Sequence, residues 1–301
     1  MNQIRELLSE RVKGFAAVVS VVLIWSSFNI ISRSGSLHHL TPYDLAALRF
    51  GVSGIIALPL FMYRVPFKEW GRYTVLALFG GLGYCIFSYA GFAFAPTAHA
   101  SLFISGGIPF WAVFLGYAFF RTSVKRITII ALAISGAGLI LIGGESIFSN
   151  KTQDQWIGDL LFFAGGACYA IFGLFIQRWQ TKPLDTILGL ATISMLIYIP
   201  IYLIFLPENI QNISWHQIEL QSFAQGIMAG LVAGILFAYA VLRIGPCESG
   251  MILALMPGLT TLGAAYFLSE AANVETIIGV SLVTIGAILG AKARNNEPTQ
   301  R

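Results

Sequence analysis

Charged residues are scarce in this chain. Asp, Glu, Lys and Arg make up 11% of its 301 residues, whereas soluble domains carry about 25%. Hydrophobic residues make up 56%, and the mean hydropathy is +0.76. The surface of a soluble protein of this size needs far more charge, so the composition excludes a soluble protein and indicates an integral membrane protein. The net charge of +4 is expected to reflect Lys and Arg beside the membrane, and no nucleic-acid partner is expected.

Paired cysteines and common catalytic motifs are also missing. Cys85, Cys168 and Cys247 are isolated in or at the ends of apolar runs, so neither a disulfide framework nor a metal site is expected. The chain has no H-E-x-x-H, no P-loop and no pair of intramembrane aspartates, so no cofactor and no ATP-driven pump is expected. An intramembrane serine hydrolase remains a minor alternative, because Ser53 lies in a G-x-S-G sequence. Its general base would have to be His99.

Long hydrophobic runs are what the chain does have. Runs of about 20 apolar residues span a bilayer as helices, and the short connections leave no room for a soluble domain. The first run continues to Ile31 without a small-x-small cleavage site, which predicts a retained helix rather than a signal peptide. Ten runs are present, at about 14–32, 43–63, 73–94, 97–120, 127–143, 157–177, 184–206, 222–242, 247–268 and 276–291.

Lys and Arg are unevenly distributed over the predicted loops. With the N-terminus inside, 15 of the 18 lie in cytoplasmic segments, Arg33 and Lys151 lie outside, and Arg49 lies within a helix. The positive-inside rule then predicts that both termini are cytoplasmic and that the number of helices is even. We expect a multi-pass protein of the cell inner membrane, surrounded by lipid bilayer.

A weak internal repeat relates the two halves of the chain. The predicted first repeat covers 14–143, the second covers 157–291, and 144–156 connects them. Each half has five helices, an odd number, so the two halves insert in opposite orientations. Inverted repeats are typical of secondary transporters, whose site lies near the midplane between the repeats. Adding 141 to the residue numbers of Pro42, Asp44 and Pro59 gives Pro183, Asp185 and Pro200. Adding 150 to those of Tyr89 and Pro96 gives Tyr239 and Pro246.

Several segments carry a family resemblance: Trp25 to Arg33, Pro42 with residues 45–50, Pro96 to Pro109, and their echoes at 158–178 and 246–257. In these segments the sequence resembles EamA-type members of the drug/metabolite transporter superfamily, over roughly 14–291. The resemblance implies ten helices around a central cavity lined by helices 1, 3, 4, 6, 8 and 9. It also implies transport of small metabolites, often outward. The acid that often closes helices 4 and 9 in this family is Glu270 in the second half, but Arg121 or Thr122 stands there in the first.

Polar and aromatic residues at helical spacing predict the substrate site. Trp25, Asn29 and Ser32 share one helix face, and such a face points into the protein or a water-filled cavity because lipid tolerates it poorly. An interhelical hydrogen bond that only holds the bundle together is the alternative. For the tyrosines and Trp111, interfacial or core positions also stay open. The predicted substrate-binding residues are Trp25, Asn29, Tyr84, Ser88, Tyr89, Trp111, Tyr169 and Tyr239.

Three further charged or titratable residues need a role. His99 and Glu248 stand near the starts of helices 4 and 9 and are candidates for proton coupling. Alternatively, His99 is interfacial and Glu248 stabilises a helix N-terminus, with Arg243 as its partner. Arg49 has an apolar counterpart, Leu190, in the second half. Since helix 2 is peripheral in the family that the chain resembles, we expect Arg49 to be a structural charge.

These observations predict a secondary transporter that exports small polar or amphipathic metabolites, such as amino acids, by alternating access. The lack of a basic cluster argues against phosphates and nucleotide sugars. A non-transporting membrane scaffold or complex subunit is the alternative, and a fully packed midplane would favour it. Close spacing of small residues, as at Gly226, Gly230 and Gly234, leaves both a monomer and a homodimer open.

Overall fold

The computed structural model describes residues 2–121, 124–148 and 154–295, and this part of the chain is helical without any strand. Ten of its helices are long and apolar enough to cross a membrane, which confirms the predicted all-α membrane architecture. Residues 149–153 of the predicted connector, Thr122, and the side chains of Pro246 and Cys247 lie outside the described set. The helices are α1 (Asn2–Leu37), α2 (Pro42–Arg64), α3 (Phe67–Phe94), α4 (Thr97–Phe120), α5 (Arg126–Phe148), α6 (Gln155–Trp179), α7 (Pro183–Phe205), α8 (Trp215–Gly245), α9 (Glu248–Phe267) and α10 (Val274–Asn295).

The contacts between helices are repeated when each helix is replaced by the one five places along the chain. α1 packs on α8 and α9, and α6 packs correspondingly on α3 and α4. α2 packs on α7, α4 on α9, and α5 on α10, so these three pairs each map onto themselves when helix n is replaced by helix n+5. The two halves are therefore interlocked repeats rather than separate domains. The face that carries residue 10 is called the amino-terminal face below, and the opposite one the distal face.

The starts of α2 and α7 explain the repeated Pro-x-Asp sequence. Thr41 and Asp44 form a capping box at α2, which satisfies free N–H groups of its first turn. Asp44 also accepts a hydrogen bond from the Tyr202 hydroxyl at the end of α7. In the second repeat, Asp185 at the start of α7 accepts from Arg64 Nε at the end of α2, at 2.5 Å. Each repeated acid thus binds the far end of the other helix.

Two helices contain a widened π segment at matching places. In α3 it spans Ala77–Gly83, and in α8 it spans Ser222–Val232. Such segments are rare and often occur at functional sites. In α3 the backbone approaches α6 so closely that a Cβ on Gly80 would lie 2.5 Å from the Phe172 ring. The close approach requires glycine there and draws α3 against the second half.

A break separates α8 from α9, and a second lies within α9. Gly245 has a φ of +84°, a conformation that glycine adopts without strain. The chain then turns at residues 254 and 255, and helix resumes at Met256–Phe267. Pro257 lies in the first turn of that segment, where a missing N–H costs nothing. The sequence placed Pro257 inside a continuous helix, whereas it opens a new one.

Candidate functional site

Aromatic side chains surround Arg49 in the interior of the bundle. Its guanidinium carbon lies 5.1 Å from the centroid of the Phe28 ring, and the Phe28 and Tyr89 rings are 6.0 Å apart. Tyr84 and Tyr169 pack on each other at 5.3 Å. The guanidinium lies near the hydroxyls of Tyr89, Tyr84 and Tyr169. These five residues, from α1, α2, α3 and α6, are called the Arg49 cluster.

The Arg49 cluster lies at membrane depth between the two halves. Arg49 is the eighth residue of α2, so it stands about 10 Å along the helix from the distal face. Tyr84 stands about 15 Å along α3 from the same face. Phe28 and Tyr89 are 3% and 0% exposed, but Arg49 itself is partly exposed. Its guanidinium lies over the buried Phe28 ring and near the buried Tyr89, so Arg49 points into the bundle rather than toward lipid.

A chain of buried amides fixes Tyr89. The Tyr89 hydroxyl donates to Gln225 Oε1 at 3.1 Å, and Gln225 Nε2 donates to Ser32 Oγ at 2.9 Å and to Gln221 Oε1 at 3.0 Å. Gln221 Nε2 in turn donates to the Ile31 carbonyl at 2.7 Å. Neither glutamine was among the site residues predicted from the sequence. Two amides four residues apart in an apolar run were the signal, because they share one helix face.

The structure brings together some of the predicted substrate-binding residues. Tyr84, Tyr89 and Tyr169 belong to the Arg49 cluster. Trp25 packs on Phe237 of α8, with ring centroids 5.8 Å apart, and remains partly exposed. Asn29, one turn along α1, is 3% exposed and makes no side-chain hydrogen bond to the described residues. Arg49, predicted to be a structural charge, faces these aromatic residues.

Other predicted site residues lie at helix interfaces. Trp111 Nε1 donates to the Phe163 carbonyl at 3.1 Å, which ties α4 to α6. Ser88 is fully buried against Gly165 at the contact between α3 and α6. Ser88 stands one turn from Tyr84 and so lies beside the Arg49 cluster, whereas Trp111 contacts Phe163 and Phe114.

Tyr239 lies near the amino-terminal face. Arg243 stacks over its ring at 4.8 Å. Tyr239 and Lys13 line an open pocket of about 410 Å³ between α1 and α8. This position separates Tyr239 from Tyr89, to which the repeat had related it.

The two coupling candidates have different surroundings. His99 Nδ1 lies 2.8 Å from Asp159 Oδ1, both residues are buried, and Gln155 contacts the other ring nitrogen at 3.2 Å. This pair joins α4 of the first half to α6 of the second. Glu248 instead forms an exposed ion pair with Arg11, at 3.0 Å.

The alternative interpretation of Glu248 gave it Arg243 as a partner, and the structure gives it Arg11 instead. Arg243 Nε donates to Glu10 at 2.6 Å. The N-terminal part of α1 therefore supplies the partners of both residues, at a sequence distance that no local pattern indicates. Asp159 was missed for the same reason, although an acid in an apolar run was a visible signal.

An ion pair closes the distal ends of α1 and α9. Arg33 Nε donates to Glu270 Oε1 at 3.0 Å, and the other Glu270 oxygen accepts from the Thr97 backbone N–H at 2.9 Å. Arg33 also donates to the Phe92 carbonyl. Both side chains of the pair are less than one-fifth exposed. One acid thus links α1, α9 and the turn between α3 and α4.

The geometry does not assemble a serine nucleophile. Ser53 Oγ donates to the Arg49 carbonyl at 2.7 Å, within its own helix. His99 is engaged with Asp159 and Gln155. Among the described residues no group of three His, Cys, Asp or Glu side chains could hold a metal ion.

Comparisons with known proteins agree with this architecture. A model of the EamA-like transporter family matches residues 12–144 and again 156–290. An uncharacterized transporter of Archaeoglobus fulgidus is 24% identical over 296 residues, covering 92% of this chain and 96% of that protein. The uncharacterized transporter YyaM of Bacillus subtilis is 22% identical over 280 residues, covering 87% of this chain and 88% of that protein.

Two further similarities support less, because one covers under half of the chain and the other has low sequence identity. The protein LicB of Haemophilus influenzae is 28% identical over 137 residues, which cover 42% of this chain and 46% of that protein. A protein crystal structure superimposes with a TM-score of 0.63 and 20% identity, covering 96% of this chain and 99% of the other. It shows the fold alone. Because the family model matches both halves, the chain belongs to the EamA-like transporter family.

Proposed function

We propose that this protein is a secondary transporter that exports small polar or amphipathic metabolites, such as amino acids, across the cell inner membrane. The observation that carries the proposal is the Arg49 cluster, which places hydroxyls, aromatic faces and one cation at membrane depth between the halves. Such a mixture suits a small ligand with an apolar body and few polar groups. Lys and Arg counts support cytoplasmic termini.

Alternating access is the proposed mechanism. On the distal face, the Arg33–Glu270 and His99–Asp159 pairs hold parts of both halves together in partly or fully buried positions. On the amino-terminal face, the ion pairs formed by Glu10 and Glu248 are exposed, and Arg64–Asp185 joins α2 to α7 through a buried carboxylate. We propose that the halves rock about the Arg49 cluster, and that the distal pairs break when that face opens.

The partners follow from the same proposal. They are a small-molecule substrate and the lipid bilayer, without nucleic acid or cofactor, and the protein acts as a monomer or homodimer. The family and the transporter-named relatives point to a transporter rather than an enzyme. The partly exposed cation at membrane depth argues against a non-transporting scaffold, because such a charge is costly and a packed scaffold does not need it.

Transport by purified protein in liposomes tests this proposal. We expect uptake or release of at least one compound from a panel of amino acids and related metabolites. We expect Trp25→Ala and Tyr84→Ala to lower the rate about tenfold or more, since each removes an aromatic contact with the substrate. Trp215→Ala and Tyr63→Ala are the matched controls, at 74% and 88% exposure, and should transport normally. Liposomes that move no compound, or site variants that equal the controls, would contradict the proposal.

A further inference from the structure

Arg49 differs from the other membrane-embedded charges in its lack of an acidic partner. Arg33, Arg64 and His99 each contact a carboxylate from another helix or its flanking turn. Within the described residues, Arg49 forms no ion pair. Its neighbours are the Phe28 ring, tyrosine hydroxyls and the Cys85 thiol. A cation is thus held at membrane depth by neutral groups.

Those neutral groups satisfy the guanidinium only in part. An uncompensated charge at this depth is costly, and the face of Phe28 offsets some of that cost through a cation–π contact. The guanidinium has five N–H donors, and the hydroxyls of Tyr84, Tyr89 and Tyr169 lie near it. The Tyr89 proton is directed to Gln225 Oε1, so a lone pair of the Tyr89 oxygen is left for Arg49. Several guanidinium donors therefore remain for a ligand.

The ligand chemistry follows from this donor set. We infer that Arg49 binds the carboxylate of the transported substrate, because the planar guanidinium fork matches a carboxylate in a bidentate pair. The inference rests on the proposed transport function and names the substrate class of the same site. The carboxylate supplies the negative charge that the protein itself does not provide. Tyr84 and Tyr169, whose rings pack on each other near Arg49, then face the body of the substrate.

The repeat limits the substrate to one anionic group at this site. Leu190 occupies the position in α7 that corresponds to Arg49, so the second half contributes no equivalent cation. A single guanidinium balances one carboxylate, whereas a phosphate ester or a dicarboxylate would carry uncompensated charge. The rings of Tyr84, Tyr169 and Trp25 suit an apolar or aromatic body. The substrate class is therefore a monocarboxylate with an apolar or aromatic side chain, with or without an amino group.

Matched ligands test the inference on the wild-type protein. Phenylalanine, phenylalaninamide and 3-phenylpropanoate share one ring and differ in the carboxylate or the amino group. We expect phenylalanine to bind at least about tenfold more tightly than its amide, measured as a ligand-induced rise in melting temperature and as competition for transport. Comparison with 3-phenylpropanoate distinguishes amino acids from simple carboxylates, and tight binding of either supports the inference.

Variants of Arg49 complete the test. Arg49→Gln should remove the preference for the acid over the amide, and Arg49→Lys should keep part of it because the charge stays but the planar fork is lost. The control is Arg72→Gln, an exposed cation on the amino-terminal face, which should behave as wild type. If Arg49→Gln does not fold, the wild-type ligand series and Arg49→Lys still decide the matter.

The outcomes separate this inference from the proposed function. A wild-type protein that moves compounds regardless of a carboxylate overturns the inference alone. An Arg49→Gln variant that folds and keeps full preference for the acid also overturns it. A wild-type protein that binds and moves no compound contradicts the transport proposal itself.

Discussion

The side chain of Gln225 makes three hydrogen bonds in the interior of the bundle. It is fully buried in the π segment of α8, accepts from Tyr89 and donates to Ser32 and Gln221. The Tyr89 hydroxyl lies beside the guanidinium of Arg49. Gln225 therefore positions the Arg49 cluster from the second half of the chain without contacting the cation itself. Buried networks of this kind are most valuable when every member is satisfied.

The first prediction concerns this amide. Gln225→Leu should lower the free energy of unfolding by about 0.6–1.7 kcal/mol, the range for interhelical hydrogen bonds in membranes. It should also weaken binding of the best ligand, because Tyr89 loses the acceptor that orients it. Thermal unfolding in detergent, with and without ligand, measures both effects. Gln177→Leu, at an exposed position of α6, is the control. Unchanged ligand binding by a folded Gln225→Leu protein would refute the positioning role.

For single residues, the sequence predicted which polar and aromatic residues lie inside the bundle better than it predicted which residues they contact. Tyr84, Tyr89 and Tyr169 were selected by their polarity at membrane depth, and they do meet. Asp159 was not matched to His99, because the two residues stand 60 positions apart on different helices. Periodicity places a side chain on a helix face, but it does not say which helix that face meets.

At the level of helices, the repeated acids Asp44 and Asp185 hold α2 and α7 together. Asp44 is 0% exposed and accepts from the Thr41 N–H and hydroxyl, the Tyr202 hydroxyl and the Asn209 N–H. It therefore both begins α2 and fastens the end of α7. Asp185 lies in the first turn of α7 and fastens the end of α2 through Arg64. The pair of helices is clamped at both membrane faces.

Removal of that clamp gives the second prediction. Asp44→Ala should cost more stability than Thr41→Ala, since loss of an N-cap alone costs about 1 kcal/mol. Asp44→Ala also leaves the Tyr202 hydroxyl without an acceptor, which adds about 1–3 kcal/mol. The two variants are compared by thermal unfolding in the same detergent. Equal stabilities would mean that the contact with α7 contributes nothing beyond the cap.

The hydropathy of the sequence predicted ten helices but not the π segments within two of them. The apolar runs match the helices because a spanning helix must satisfy its own backbone and expose apolar side chains to lipid. A π segment has the same composition as the helix around it, so Ala77–Gly83 and Ser222–Val232 gave no compositional signal. Gly80 does bear the signature of close approach, but a sequence with 31 glycines offers many such candidates.

Across the whole molecule, the described ion pairs between the halves differ at the two faces. Arg33–Glu270 and His99–Asp159 on the distal face are mostly buried. On the amino-terminal face Arg11–Glu248 and Arg243–Glu10 are exposed, whereas Arg64–Asp185 has a buried carboxylate. Exposed pairs contribute about 0–1 kcal/mol, and loss of one partner of a buried pair costs more. Two mostly buried pairs thus join the halves on the distal face, and one pair with a buried carboxylate joins them on the amino-terminal face.

The last prediction uses this asymmetry. Glu270→Gln should shift the protein toward a distal-open state, because Arg33 loses its charge partner and the link to the Thr97 N–H is weakened. A cysteine placed at Ala98, which is 8% exposed beside this link, reports the opening in a background without the native cysteines. We expect its labelling by a membrane-impermeant maleimide to rise at least about fivefold, as a shift of about 1 kcal/mol gives. Glu248→Gln breaks the exposed pair on the other face and should leave labelling unchanged. Equal labelling in wild type and Glu270→Gln, with transport retained, would show that the Arg33–Glu270 pair does not hold the distal face closed.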